Sequence, residues 1–298
     1  MGGGTYALKS AEVRSRSVYS KMSRQETFTS RSLDPEMDIR GKVRESCDSD
    51  EHPNSFPVII ALDVTGSMGS VPHELIKGGF PKIMGKIMGE NIPDVQVCFL
   101  GIGDDVYDSA PFQAGQFETS DELNEKWLTK VYIESGGGGN DGESYSLAWY
   151  FAARHTAIDS YEKRKVKGCL ITIGDEPCLP STTESHIYRI FGEHPQSDVK
   201  ADDILSEASE KWDCYHINVC DYAGSRSSTV NDWQQRMKDK LVTTQSSSGT
   251  DIPDIIAGIV IRCWKSQNSK SSSTAPVVSP STDIVPANET DEPGSHLR

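Results

Sequence analysis

The 298-residue sequence has no run of about 18 apolar residues, so no membrane-spanning helix is expected. Its first residues, Met1 to Tyr6, contain no apolar segment of the kind a secretory signal needs. Tyr6 stands where N-myristoylation requires Ser or Thr. Basic charge is scarce: 30 Lys and Arg face 44 Asp and Glu, a net charge of −14. That balance argues against nucleic-acid partners, whose phosphates are held by clustered cations, and against docking on anionic membranes. It suits a bound cation or a basic protein partner. Close cysteine pairs are also missing. The seven cysteines are an odd number without a Cys-x-x-Cys, and Cys98, Cys169, Cys214 and Cys220 fall in apolar runs. Reduced, buried thiols in a cytoplasmic protein are the expectation. Hydrophobic residues make up only 36% of the chain, so part of its length is expected to lie outside a core.

Three regions follow from composition. Residues 1–56 are polar and rich in Ser and Arg, with balanced charges and no core stripe. They read as an arm that wraps the domain or is partly disordered. Residues 57–265 carry most of the excess negative charge and the periodic segments. Residues 266–298 are rich in Ser, Thr and Pro and read as a disordered tail.

The middle region alternates strand and helix patterns. Val58-Ile59-Ile60-Ala61-Leu62 is a continuous apolar run ending at Asp63, the pattern of a strand buried on both faces. Val95–Ile102 and Cys169–Ile173 repeat it, Tyr215–Val219 reads as a fourth strand, and residues 111–118 suggest a short edge strand. A further short strand is expected near 241–244. Helical patterns lie between, at 75–87 where Pro81 and three glycines predict an imperfect, kinked helix, from Asp121 as N-cap, from about Ser144, and at about 183–191, 202–212, 228–240 and 252–263. Such alternation predicts an α/β fold with a mainly parallel sheet covered on both faces. Ligands of such sheets bind at the carboxyl ends of the strands. The five tryptophans are read as helix-packing anchors, and His155 and His216 as core or boundary residues.

Three polar loops are placed to form a site: Asp63-Val64-Thr65-Gly66-Ser67, Gly136–Gly139 with Asn140-Asp141-Gly142-Glu143, and Gly174-Asp175-Glu176-Pro177. Carboxylates and hydroxyls are hard oxygen donors suited to Mg²⁺, Mn²⁺ or Ca²⁺ and not to thiolate-loving metals. A helix-capping turn at Asp63, Thr65 and Ser67 is the alternative. Glu143 reads as a first-turn acid that complements a helix dipole. Cys178, beside acidic groups, reads as inert. A P-loop is excluded because no Lys-Ser/Thr follows the glycines. A serine-hydrolase elbow is excluded because Thr65 occupies its first glycine position.

Asp63-x-Thr65-x-Ser67 at a strand end resembles the first motif of von Willebrand factor type A domains. Ile173-Gly174-Asp175 resembles their third motif. The glycine-rich loop is similar to the Gly-Gly-Gly-Asp-x-Pro-Glu loop of intracellular, bacterial and phage-like members, although here no Pro precedes Glu143. The motifs occur in the family's order within 57–265. The resemblance implies a Rossmann-like sheet with one antiparallel edge strand. It also implies a metal-ion-dependent adhesion site formed by Asp63, Thr65, Ser67, Asp141 and Asp175, with Asn140 as the alternative to Asp141. The implied role is non-enzymatic: Mg²⁺-dependent binding of a protein partner that supplies a Glu or Asp to the metal, with an AAA-type ATPase or an assembly subunit as candidate partner. A structural subunit with a silent metal site and a metal-assisted hydrolase are the alternatives.

Overall fold

The computed structural model describes residues 4–66, 68, 70–134, 142–220, 227–245 and 250–272. Six strands form its central sheet: β1 Phe56–Asp63, β2 Val95–Ile102, β3 Phe112–Ala114, β4 Gly168–Gly174, β5 Trp212–Val219 and β6 Leu241–Thr244. Their order is β6-β5-β4-β1-β2-β3. All pairings are parallel except that of β3 with β2, which is antiparallel. The fold is therefore a Rossmann-like α/β sheet with one antiparallel edge strand.

Every residue of β1, β2 and β4 is buried. Continuous apolar runs are what a parallel strand needs when helices cover both faces. Side chains alternate across the sheet, so Val58, Ile60 and Leu62 enter one core while Ile59 and Ala61 enter the other. Eight main helices accompany the sheet: α1 Leu8–Ser17, α2 Phe80–Gly89, α3 Asp121–Lys130, α4 Ser146–Arg154, α5 Glu184–Phe191, α6 Ala201–Lys211, α7 Ser227–Met237 and α8 Ile252–Ser272. The first core takes Phe80, Ile83 and Ile87 of α2 with Ile256 and Val260 of α8. The second takes Trp149 and Phe151 of α4, Ile204 and Ala208 of α6, and Trp233 of α7.

Several local expectations change. The helical stretch expected over 75–87 is kinked, but at Gly78; Pro81 lies in the first turn of α2, where its missing N–H has no intrahelical acceptor to lose. The cap of α3 is Ser120, whose hydroxyl accepts from the Leu123 N–H. Asp121 instead accepts from the Ala7 N–H and pairs with Arg14. Trp212 opens β5 and is no helix anchor; its indole donates to the Ala152 carbonyl at 2.9 Å.

The described part of residues 1–56 runs along the domain. Arg14 of α1 bonds Glu125 of α3 at 2.7 Å as well as Asp121, and Tyr6 is buried against Phe80. Arg44–Ser46 forms a parallel ribbon with Thr156–Ile158. Helix α8 reaches Ser272, and residues 273–298 of the expected tail lie outside the described residues. Among the described residues no helix is long and apolar enough to cross a membrane.

Candidate functional site

The chain leaves β1 for β2 on one side and reaches β4 on the other, so the strand order reverses around β1. In open α/β sheets the crevice at that reversal, beyond the carboxyl ends of the strands, is where ligands sit. Asp63 is the last residue of β1. Leu62 pairs with Ile173, which carries Gly174 and Asp175 to the neighbouring position. Asp63 faces Ile102 on the other side, where the loop after β2 begins.

The Asp63 carboxylate is 1% exposed and held at both oxygens. Its Oδ1 accepts from the Thr65 N–H at 2.9 Å and from the Thr65 hydroxyl at 2.5 Å. Its Oδ2 accepts from the Tyr145 hydroxyl at 3.0 Å. Aspartate at a strand end makes this short-range turn readily, because its side chain reaches the N–H two residues on.

Tyr145 precedes α4 and is fully buried. Its ring meets His216 and Trp233 edge-on, with centroids 5.2 and 5.3 Å away. His216 stacks on Trp233 at 3.5 Å and takes a 2.9 Å hydrogen bond with Thr172 through Nδ1. Glycine at 174 is required by this arrangement: a Cβ there would lie 1.7 Å from the Tyr145 hydroxyl oxygen.

Negative charge is concentrated at these strand ends. Burial pushes the Asp63 carboxyl up to about 7; the Thr65 hydrogen bonds oppose the rise and the Asp175 charge adds to it. Glu143 is 6% exposed, and its Oε2 has no hydrogen-bond partner among the described residues. Burial first, then the charges of Asp63, Asp108, Asp104 and Glu176, raise its carboxyl well above the ordinary range. Glu143 lies before α4 and is buried, so it is not the first-turn acid expected from the sequence.

Of the five residues assigned to the metal, Asp63, Thr65 and Asp175 converge, while Ser67 and Asp141 lie outside the described residues, as does the glycine run. Among the described residues no three His, Cys, Asp or Glu side chains form a ready metal-binding group. Tyr145 went unrecognised in the sequence, where it looks like one more helix aromatic. The loop Gly103-Asp104-Asp105 was also missed, although it follows a buried strand just as Asp63 and Asp175 do. Cys178 is 5% exposed, and burial pushes its thiol up to about 12. His155 and His216 are buried.

No protein-family profile and no curated protein sequence matches the chain. Among solved structures it is similar to the open conformation of the pilus adhesin SpaC from Lactobacillus rhamnosus GG, with a TM-score of 0.47 and 9% identity over 75% of this chain. The chain spans 31% of that adhesin's length. It is also similar to the conserved hypothetical protein BatB from Bacteroides thetaiotaomicron, with a TM-score of 0.41 and 15% identity over 71% of this chain and 100% of that one. A von Willebrand factor type A protein from Catenulispora acidiphila gives 0.37 and 12% identity over 68% of this chain and 42% of that one.

Proposed function

We propose that the chain is a von Willebrand factor type A-like module that binds a protein partner through Mg²⁺ at the carboxyl ends of β1 and β4. The observation that carries this reading is the buried Asp63 carboxylate, locked by Thr65 and Tyr145 and repelled by Asp175. Asp63, Thr65 and Asp175 supply hard oxygen donors, and Ser67 and Asp141 or Asn140 complete the set by sequence. The buried Oε2 of Glu143 has no hydrogen-bond partner among the described residues, and its surroundings keep the carboxyl protonated, a state that a nearby cation would reverse. Bound Mg²⁺ supplies a Lewis-acidic position for an incoming Glu or Asp of the partner. The protein's own part is positional: Thr65 donates to Asp63 and fixes the turn, Tyr145 holds the second carboxylate oxygen, and Gly174 admits the Tyr145 hydroxyl.

The reading is non-enzymatic. Ser144 donates to Asp105 at 2.6 Å, and Asp105 in turn meets His186 Nδ1 at 2.6 Å. The serine is thus bonded to the acid and not to the histidine, an arrangement that does not activate a nucleophile. A cytoplasmic setting is part of the proposal, supported by seven unpaired thiols.

Calorimetric titration of Mg²⁺ and Mn²⁺ into EDTA-stripped protein tests the site. One-site binding that disappears in the Asp63→Ala, Ser67→Ala variant is the expected result. Absence of binding at millimolar metal overturns it.

A further inference from the structure

The loop after β2 is built at unusual cost. Asp104, Asp105 and Asp108 are 4%, 2% and 8% exposed, and every one is engaged. Asp108 Oδ2 accepts from the Asp104 N–H at 2.8 Å, and Asp104 Oδ1 accepts from the Val106 N–H at 2.7 Å. Asp105 is held by Ser144 and His186, and its carbonyl accepts from Arg189. Ser109 anchors the far end on Glu134 at 2.9 Å. The product of this bracing is a pair of side chains standing in solvent: Val106 is 51% and Tyr107 58% exposed. Among the described residues they are the one adjacent pair of large exposed hydrophobics. Single exposed apolar residues need no explanation, but a rigidly presented pair does.

The loop that carries the pair leaves the sheet next to the proposed cation site. Ile102, the last residue of β2, is the register partner of Asp63, and its carbonyl accepts from the Val64 N–H at 3.0 Å. The Gly103 carbonyl accepts from the Ser144 N–H, next to Glu143.

We propose that Val106 and Tyr107 form the apolar half of the partner-binding surface, so that the partner is an extended protein segment bearing one Asp or Glu for the cation, an apolar side chain beside it, and Lys or Arg flanking both. This rests on the cation-dependent reading above. Three features select that occupant. An open cation position takes one carboxylate. The chain charge of −14 calls for basic flanks. A tyrosine and a valine fixed before binding lose little entropy when an apolar side chain covers them, which is how aromatic anchors come to dominate an interface.

The test is a display library of random linear peptides, panned on the immobilised full chain in Mg²⁺. The enriched peptides are then synthesised and titrated against wild type, Val106→Ser/Tyr107→Ser and Asp63→Ala, each with Mg²⁺ and with EDTA. The expected peptides pair an acid with a nearby apolar residue among basic ones. Their affinity falls about tenfold or more in the Val106→Ser/Tyr107→Ser variant, the loss of one interface anchor. That variant keeps its Mg²⁺ affinity and melting temperature, because both side chains are exposed. Peptides that bind this variant as well as wild type, or a library that yields no enriched sequence, overturn the docking surface. Failure of the cation reading looks different: binding that survives EDTA and Asp63→Ala, together with flat Mg²⁺ calorimetry.

Discussion

Replacing Asp63 by Asn should stabilise the metal-free protein at pH 8 and destroy its response to Mg²⁺. Asn keeps the shape of the side chain. Its Oδ1 still accepts from the Thr65 N–H and hydroxyl, and its Nδ2 can donate to the Tyr145 oxygen that now bonds Oδ2. What it removes is a buried charge. The folded carboxyl is raised from 3.8 to about 7, so between these values the native state holds a proton that the unfolded chain has released. Wild-type stability therefore falls as pH rises through that window, and the Asn variant escapes the fall. Below 3.8 both states of the wild type are protonated and the two proteins differ little. Above 7 the gap is fully open and amounts to roughly 2–4 kcal/mol. For a domain of this size, 2 kcal/mol moves the melting temperature by about 4–8 °C. Mg²⁺ at a thousand times Kd contributes about 4.1 kcal/mol to wild type alone, enough to erase the gap. Thermal melts from pH 4 to pH 8, with EDTA and with Mg²⁺, read all of this. A variant that melts below wild type at pH 8 in EDTA refutes the electrostatic argument, and a pH-independent gap does the same.

Gly174→Ala forces a methyl group into the Tyr145 hydroxyl, so it should cost about 1–3 kcal/mol and weaken Mg²⁺ binding. An unchanged melt and titration would show that Tyr145 does not hold Asp63. Arg14→Ala leaves the carboxylates of Asp121 and Glu125 unpaired, with side chains only 6% and 9% exposed. Because Arg14 itself is partly solvated, the expected loss is about 1–3 kcal/mol, with faster proteolysis between α1 and β1. Alkylation of the native protein at pH 8, followed by mass spectrometry, should label the half-buried Cys47 and Cys220 ahead of the other thiols. Cys98, Cys178 and Cys214, each pushed up to about 12 by burial, should stay unlabelled until the chain is denatured. Early labelling of Cys178 would contradict its enclosure.

Periodicity was enough to read β1, β2 and β4, because a strand covered on both faces is largely apolar along its length, and the Tyr215–Val219 part of β5 was read as well. It also revealed that Asp63 and Asp175 end two such strands, and parallel pairing alone then places them at one edge. The short strands Phe112–Ala114 and Leu241–Thr244 lie within the segments 111–118 and 241–244 that were read as strands. Expectations failed where the deciding partner was distant in sequence. Asp121 reads as a cap until Arg14 and Ala7 claim its oxygens. Trp212 reads as a helix anchor until its indole finds Ala152 across the layer. Glu143 reads as a first-turn helix acid, but it lies ahead of α4 and is buried.

Local order in this protein thus follows from spacing, since alternation, turn residues and strand-end acids act through neighbours along the chain. The register of β1 against β4, the entry of Tyr145 beneath Gly174, the burial of Glu143 and the presentation of Val106 and Tyr107 were decided by the tertiary structure alone. These depend on which side chains share a dry space, and burial and like-charge repulsion have no meaning until the chain has closed around them.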